Sequence, residues 1–132
     1  MNNRRIAWWS LAAALWTFIA WGNRIGLLTG DEASDPWTWI RVGGSLLLGA
    51  ALLVVAIALL RRRPFTRMMG VVFIVFGILM VVVWGRSAIS VLADDEILAF
   101  KLVHLVLAVI STGFGIVLMR LAQQQHSAQK PN

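Results

Sequence analysis

Basic residues divide this chain into four apolar stretches of nearly equal length. Each stretch lies between two basic residues and encloses 18 or 19 residues without a lysine, arginine or carboxylate. The four stretches are 5–24, 41–61, 67–86 and 101–120. A helix that rises about 1.5 Å per residue needs roughly 20 residues to cross a hydrocarbon layer about 30 Å thick. The spacing therefore predicts four membrane-spanning helices.

The predicted fold class is all-α, a polytopic membrane four-helix bundle in one domain over residues 1–132. We expect spans at about residues 6–28, 37–60, 68–89 and 97–120, followed by a cytoplasmic tail at 121–132. A composition that is 59% hydrophobic, with a mean hydropathy of +0.78, suits a chain surrounded by lipid. There, backbone polar groups are satisfied within each helix. A water-soluble bundle would show a regular polar stripe, and residues 68–85 contain none.

Basic and acidic residues are distributed unequally between the two ends of the apolar stretches. The net charge of +6 would favour nucleic acid in a soluble protein, but here basic residues collect at alternate ends and all six acids lie opposite. The alternate ends hold Arg4, Arg5, Arg61, Arg62, Arg63, Arg67, Arg120 and Lys130. By the positive-inside rule both termini and the 61–67 turn are cytoplasmic, and the acidic loops face outward. We expect no nucleic-acid partner.

The two halves of the chain resemble each other. Trp21 and Arg24 precede one acidic loop, Trp84 and Arg86 precede the other, and a basic residue then opens each returning helix. The offset between the copies is about 60 to 64 positions, which favours two similar helical hairpins related as parallel repeats. Convergence is the alternative, because any outer boundary favours tryptophan, a basic residue and an acidic loop.

Aromatic residues mark the expected membrane interfaces. An indole places its ring in lipid and its N–H in water, so tryptophans gather at both boundaries of a bilayer. The outer group is Trp21, Trp37, Trp39 and Trp84, and the inner group is Trp8 and Trp9. These positions predict an aromatic belt.

Small and polar residues predict where helices meet. Ser45 and Gly49 have the small-xxx-small spacing that permits close backbone approach. Five residues of the last helix share one face by their spacing of three or four. They are Lys101, His104, Ala108, Ser111 and Gly115. Polar groups facing lipid are costly, so this face is expected to point at protein.

The strongest candidate site is the outer rim, where each helix contributes one cation beneath the acidic loops. Its cations are Arg24, Arg41, Arg86 and Lys101, and its acids are Asp31, Glu32, Asp94, Asp95 and Glu96. Such a cluster could bind an anionic lipid headgroup, a phosphate or a partner's acidic loop. Internal ion pairing is the alternative. Asp35 and Asp94 are candidate N-caps of the returning helices.

His104 supports an alternative function, because imidazole is a common haem ligand and titrates in the range useful for a quinone. A second haem ligand would come from Met80 or from a second chain. The simpler interpretation is a hydrogen bond from His104 to a loop carboxylate. A third reading, a channel or exporter, needs midplane polar groups, and only Thr17, Ser111 and Thr112 are available.

Catalysis is not expected. The sequence contains no phosphate-binding glycine loop, no metal-spaced cluster and no nucleophile beside a base. It also has no cysteine, which excludes disulfides, thiolate metal sites and dithiol redox chemistry.

Two stretches carry a resemblance to known proteins. The first is Trp21-Gly22-Asn23-Arg24-Ile25 ahead of Asp31 and Glu32, and the second is Phe100-Lys101 followed by His104, Leu107, Ala108, Val109 and Ser111. They resemble uncharacterised small membrane proteins of actinobacteria. The resemblance implies a bacterial cytoplasmic membrane and carries over no active-site residue.

The functional expectation is therefore a non-catalytic accessory or scaffold subunit without a cofactor. It would dock a membrane partner or an anionic lipid through the outer rim. Its partners would be the lipid bilayer and a larger membrane complex or a second copy of the chain. The alternative is a haem- or quinone-associated redox subunit that uses His104.

Overall fold

The computed structural model describes residues 3–27, 34–95 and 97–129, and these form four helices without a strand. The helices are α1 (Asn3–Leu27), α2 (Pro36–Leu60), α3 (Arg67–Ala93) and α4 (Leu98–Gln129). The all-α prediction with four helices is confirmed. The last helix is longer than expected, since it continues through most of the predicted tail to Gln129. Leu121, Ala122 and Gln125 are buried there.

The helices pack in sequential pairs. Residues 1–64 and 65–132 form two compact units, with α1 packed on α2 and α3 packed on α4. Each unit is an antiparallel helical hairpin. The prediction of two hairpins is therefore confirmed.

In the first hairpin the buried positions follow a spacing of alternately three and four residues. The set on α1 is Ala7, Ser10, Ala14, Thr17 and Trp21, and the set on α2 is Thr38, Val42, Ser45, Gly49, Leu52, Ala56 and Leu59. This heptad-like spacing keeps one stripe of each helix facing the other. The Ser10 hydroxyl donates to the Leu52 carbonyl oxygen at 2.7 Å.

Small residues bring α1 and α2 close together. A Cβ built on Gly49 would lie 3.2 Å from the Thr17 Cγ2 and 3.5 Å from the Phe18 ring. Ser45 is buried one turn away. Ser45 and Gly49 therefore lie in the packed interface as predicted, and the neighbours of Gly49 are side chains of α1. The close backbone approach expected there stays a prediction.

In the second hairpin α3 and α4 touch through their backbones. A Cβ on Gly77 would meet the Met119 side chain and would lie 2.7 Å from the Gly115 carbonyl oxygen. A Cβ on Gly115 would lie 3.1 Å from both the Gly77 carbonyl oxygen and the Met80 Cβ. Ala108, Ser111 and Gly115 are buried on the same face of α4, so the prediction that this face points at protein is confirmed for these three residues. Lys101 and His104 on the same face are only half-buried.

The two hairpins share a packing register. Buried positions 10, 14, 17 and 21 of α1 recur on α3 at 73, 77, 80 and 84, an offset of 63. Positions 38, 42, 45 and 49 of α2 recur on α4 at 104, 108, 111 and 115, an offset of 66. The repeat is therefore visible in packing. Its register does not pair Arg41 with Lys101, as the sequence offset had suggested, because Arg41 lies off the buried stripe.

Side chains define several helix ends. The Asp35 Oδ1 accepts the Trp37 backbone N–H at 3.1 Å, and Pro36 occupies the first turn, so the predicted N-cap is confirmed. The Thr66 hydroxyl oxygen accepts the Met69 N–H at 3.3 Å and starts α3. The N-cap prediction for Asp94 is wrong. Its backbone N–H donates to the Ser90 carbonyl at 3.1 Å, so Asp94 ends α3 instead of starting α4.

Three of the helices are long and apolar enough to cross a membrane, by length and composition. They are α2, α3 and α4 as far as Ala128. α1 is not among them, although the sequence predicted a span there. Four tryptophans together with serine, threonine and asparagine lower its mean hydropathy.

The tryptophans divide between exposed and buried positions. Trp8, Trp37 and Trp39 are exposed, as an interfacial belt requires. Trp21 and Trp84 are only 7% and 9% exposed, so the belt prediction is wrong for these two. They occupy equivalent positions on the buried stripes of α1 and α3, near the loop end of each hairpin, where a large ring fills the space between the helices.

Candidate functional site

The predicted outer rim lies at the loop ends of the two hairpins. In the first hairpin, Arg41 is exposed on α2, about one turn beyond the capped start of the helix. Asp35 forms the N-cap of α2, and its two carboxylate oxygens accept hydrogen bonds from the Trp37 N–H and the Thr38 hydroxyl. Asp31, Glu32 and the side chain of Arg24 lie outside the described residues.

The second hairpin contributes four described rim residues. Arg86, Asp94 and Asp95 are exposed, and Lys101 is half-buried on the stripe of α4 that faces α3. Glu96 lies outside the described part of the chain. Lys101 is in the first turn of α4, where the helix dipole disfavours a cation, so a carboxylate or an anionic ligand would stabilise it.

The predicted internal ion pairs are not formed among the described rim residues. Within residues 34–95 and 97–129, no carboxylate lies within ion-pair distance of Arg41, Arg86 or Lys101. Pairing with Asp31, Glu32 or Glu96 stays a prediction. What the described residues present is charge of both signs, accessible from outside each hairpin.

Large apolar side chains lie beside these charges, and the sequence analysis did not assign them to the rim. Ile97 and Leu98 are each 72% exposed at the start of α4, and Trp37 is 70% exposed at the start of α2. The signal that could have identified them is position, since each follows an acidic loop directly. The loop ends therefore combine exposed apolar residues with accessible charges.

His104 has a different environment from the one expected. Its Nδ1–H donates to the Phe100 carbonyl oxygen at 3.1 Å, four residues earlier in α4, and its ring lies 4.0 Å from the Phe100 ring by centroids. The expected partner was a loop carboxylate. Donation from Nδ1 places the lone pair of the neutral ring on Nε2, which is the arrangement that ligating histidines adopt.

Met80 cannot join His104 on one iron within this hairpin. Met80 is fully buried opposite Gly115. Gly115 is eleven residues from His104, which corresponds to about 16 Å along the helix axis. The two side chains are too short to bridge that distance. Within the described residues no group of three metal-ligating side chains is assembled either.

Two of the three residues with hydroxyl groups expected at the midplane, Thr17 and Ser111, are buried between packed helices. Thr17 is buried and its hydroxyl donates to the Ala13 carbonyl oxygen at 2.7 Å, within its own helix. Ser111 is fully buried on the stripe of α4 that faces α3. Neither position gives support to a polar permeation path.

Comparison with known proteins relates the chain to a family. A family model described as the SCO4848-like family matches residues 64–132, a range that coincides with the second hairpin. Neither the curated proteins nor the solved structures gave a match. The family description names no activity, ligand or partner.

Proposed function

The chain belongs to the SCO4848-like family, and from that premise and its geometry we propose that it is an integral membrane protein that acts by binding. Its two hairpins would insert in the bacterial cytoplasmic membrane with both termini inside. The binding partner would be another membrane protein or a second copy of the chain, docked at the outward loop ends. The protein itself would perform no catalysis.

Membrane insertion is supported by the outward faces of the helices. Along α2, α3 and α4 many large apolar side chains point away from the hairpin partner. Examples are Leu47 and Val54 on α2, Val82 on α3, and Val103 and Val109 on α4. Burying this surface in lipid removes it from water at a gain of about 25 cal/mol per Å². The distribution of arginines supports the orientation.

The observation that carries the docking proposal is the loop end of the second hairpin. Asp94 and Asp95 are exposed there, next in sequence to the exposed Ile97 and Leu98, and Arg86 is exposed about two turns before the end of α3. The described residues satisfy neither these charges nor the apolar surface. Apolar side chains next to carboxylates, with an arginine farther along α3, suit a protein surface of complementary charge. An anionic lipid suits it less, because the carboxylates would repel a phosphate.

Site-specific crosslinking in native membranes tests this proposal. A photo-crosslinking amino acid replaces Leu98 at the loop end, and the matched control replaces Gln124, an exposed residue near the opposite end of the same helix. We expect one discrete adduct from position 98 and none of that mass from position 124. An adduct of twice the chain mass would identify a second copy as the partner.

Variants of charged residues test whether the adduct formed from position 98 depends on the rim. Arg86→Gln and Asp95→Asn should each reduce the adduct several-fold, whereas Arg120→Gln, an exposed arginine elsewhere on the hairpin, should leave it unchanged. Loss of one interfacial charge pair weakens binding by about 1.5 kcal/mol or more. A smear of products from both positions, unaffected by the variants, would contradict the docking proposal.

A redox function through His104 is the second candidate, and the Nδ1 hydrogen bond to Phe100 favours it. That bond orients the ring and leaves Nε2 as the donor atom for an iron or the proton acceptor for a quinone. Haem would supply electron transfer, and its second ligand would come from another copy or another subunit. A visible spectrum of purified protein tests this: a Soret band lost in His104→Ala supports the redox function, and a featureless spectrum after haem addition contradicts haem binding.

A further inference from the structure

The first hairpin carries a concentration of positive charge at the end opposite its loop. α1 begins there and α2 ends there. Five exposed arginines occupy these helix ends, and we call them the arginine end: Arg4, Arg5, Arg61, Arg62 and Arg63. The hydrogen bond from Ser10 to Leu52 holds the start of α1 beside the end of α2, and Ile6 and Leu59 are both buried there.

The described carboxylate of this hairpin is too distant to offset that charge. Asp35 caps the start of α2, and a helix of 25 residues is about 37 Å long. Charges in water at physiological ionic strength are screened over about 8 Å. The arginine end therefore attracts anions from its surroundings.

Arg62 has a backbone conformation that disfavours arginine. Its φ of 61° lies in the left-handed region, where glycine is usual at the C-terminus of a helix. The Arg62 N–H donates to the Leu59 carbonyl and the Arg63 N–H to the Ala58 carbonyl, both at 3.1 Å. Glycine would make the same hydrogen bonds without the steric cost of a Cβ. The hypothesis that follows from this conformation is that the Arg62 guanidinium contributes to binding.

Aromatic side chains of the kind enriched at membrane surfaces lie beside the arginine end. A shallow groove along α1 is lined by Arg4, Arg5, Trp8, Trp9 and Ala12. Trp8 is exposed. Indole rings concentrate at the level of lipid headgroups, where they contact both hydrocarbon and water. Guanidinium groups at the same level lie next to phosphates.

We propose that the arginine end binds the phosphate groups of anionic phospholipids in the adjacent membrane leaflet. Guanidinium N–H groups pair with phosphate oxygens in a forked geometry. Each arginine near an anionic membrane surface contributes roughly fivefold in affinity. This site lies on a different part of the chain from the loop ends, and it does not depend on the docking of a partner protein.

Lipid titration of the full-length protein in neutral detergent tests the proposal. Phosphatidylglycerol is the anionic lipid, phosphatidylcholine is the neutral lipid, and inorganic phosphate is the soluble anion. The measurements are the melting temperature and the number of lipids retained in native mass spectrometry. The variant is Arg62→Gly, and the matched control is Arg120→Gln, an exposed arginine on α4 of the second hairpin.

Arg62→Gly distinguishes lipid binding by the Arg62 side chain from a purely structural role of this residue. Relief of the left-handed strain should raise the melting temperature without lipid by about 2–5 °C, while the apparent affinity for phosphatidylglycerol should fall roughly fivefold. Arg120→Gln should bind lipid like the wild type. Four arginines remain in the variant, so its orientation in the membrane is expected to be unchanged.

Three results would overturn the proposal. The first is equal affinity of Arg62→Gly and the wild type for phosphatidylglycerol. The second is equal stabilisation by phosphatidylcholine, which would show no preference for an anionic headgroup. The third is equal stabilisation by inorganic phosphate, which would assign the site to a soluble anion instead of a lipid.

Discussion

At the scale of single residues, Gly77 and Gly115 set the distance between α3 and α4. Each glycine lies against the backbone of the other, so a Cβ on Gly77 would overlap the Gly115 carbonyl oxygen and a Cβ on Gly115 would make tight contacts at 3.1 Å. In lipid, where the hydrophobic effect does not hold helices together, close backbone contact supplies the van der Waals attraction that does. The pair is therefore the residue-level determinant of the second hairpin.

Gly77→Ala should destabilise the second hairpin by about 1–3 kcal/mol, because the added Cβ would meet the Gly115 carbonyl oxygen, which cannot move as a side chain can. Unfolding in mixed detergent micelles, followed by circular dichroism, measures the loss. The control is Gly85→Ala on the same helix, where a Cβ meets nothing within 4 Å. Equal stability of Gly77→Ala and the control would contradict the backbone contact.

At the scale of helices, the ends are set by specific caps. Asp35 and Thr66 start α2 and α3 through side-chain acceptors, and Arg61, Arg62 and Arg63 end α2 through three backbone hydrogen bonds. The apolar interior of each helix is similar in composition, so these capping residues decide where each helix begins and ends. At α2 both termini are defined in this way.

Asp35→Ala should lower the stability of the first hairpin by about 0.5–2 kcal/mol, since the Trp37 N–H and the Thr38 hydroxyl lose their acceptors. Thermal unfolding in detergent measures the change. Asp35→Asn keeps an acceptor oxygen and should remain close to the wild type. If Asn and Ala destabilise equally, the charge of Asp35 matters and the capping hydrogen bond does not.

At the scale of the whole molecule, each hairpin has its own buried stripe and its own loop end with accessible charge. Three helices are long and apolar enough to cross a membrane. The proposed topology, with both loop ends outward, requires that α1 cross as well. Trp8 is exposed near the start of α1, where an indole favours a bilayer boundary. The buried stripe of α1 faces α2, and together these features support insertion as part of a hairpin.

Cysteine labelling tests this topology directly, because the chain has no native cysteine to replace. With an impermeant thiol reagent applied to intact cells, Asp31→Cys and Asp94→Cys should react. Asn3→Cys and Gln124→Cys should react only after permeabilisation. Labelling of Asn3→Cys and Asp31→Cys from the same side would show that α1 does not cross.

The sequence by itself determined the number and approximate position of the helices, and the protein-facing stripe of α4. Charge is so costly in hydrocarbon that arginine and lysine mark the ends of each apolar stretch, and the polar spacing from His104 to Ser111 identifies a buried face. Asp35 was also readable, because an aspartate before a proline is typical of a helix start.

Only the tertiary structure decided which surfaces meet. The sequence predicted that Trp21 and Trp84 lie at the membrane interface, and it did not distinguish Gly77 from other glycines in apolar helices. In the structure the two tryptophans are buried in their hairpins and Gly77 contacts Gly115. His104 hydrogen-bonds to a carbonyl oxygen of its own helix. Asp94 ends α3, although it was expected to cap the start of α4. The apolar helices have similar compositions, so which side chains become buried depends on the shape of the helix that packs against them. That shape cannot be read from the sequence of one helix alone.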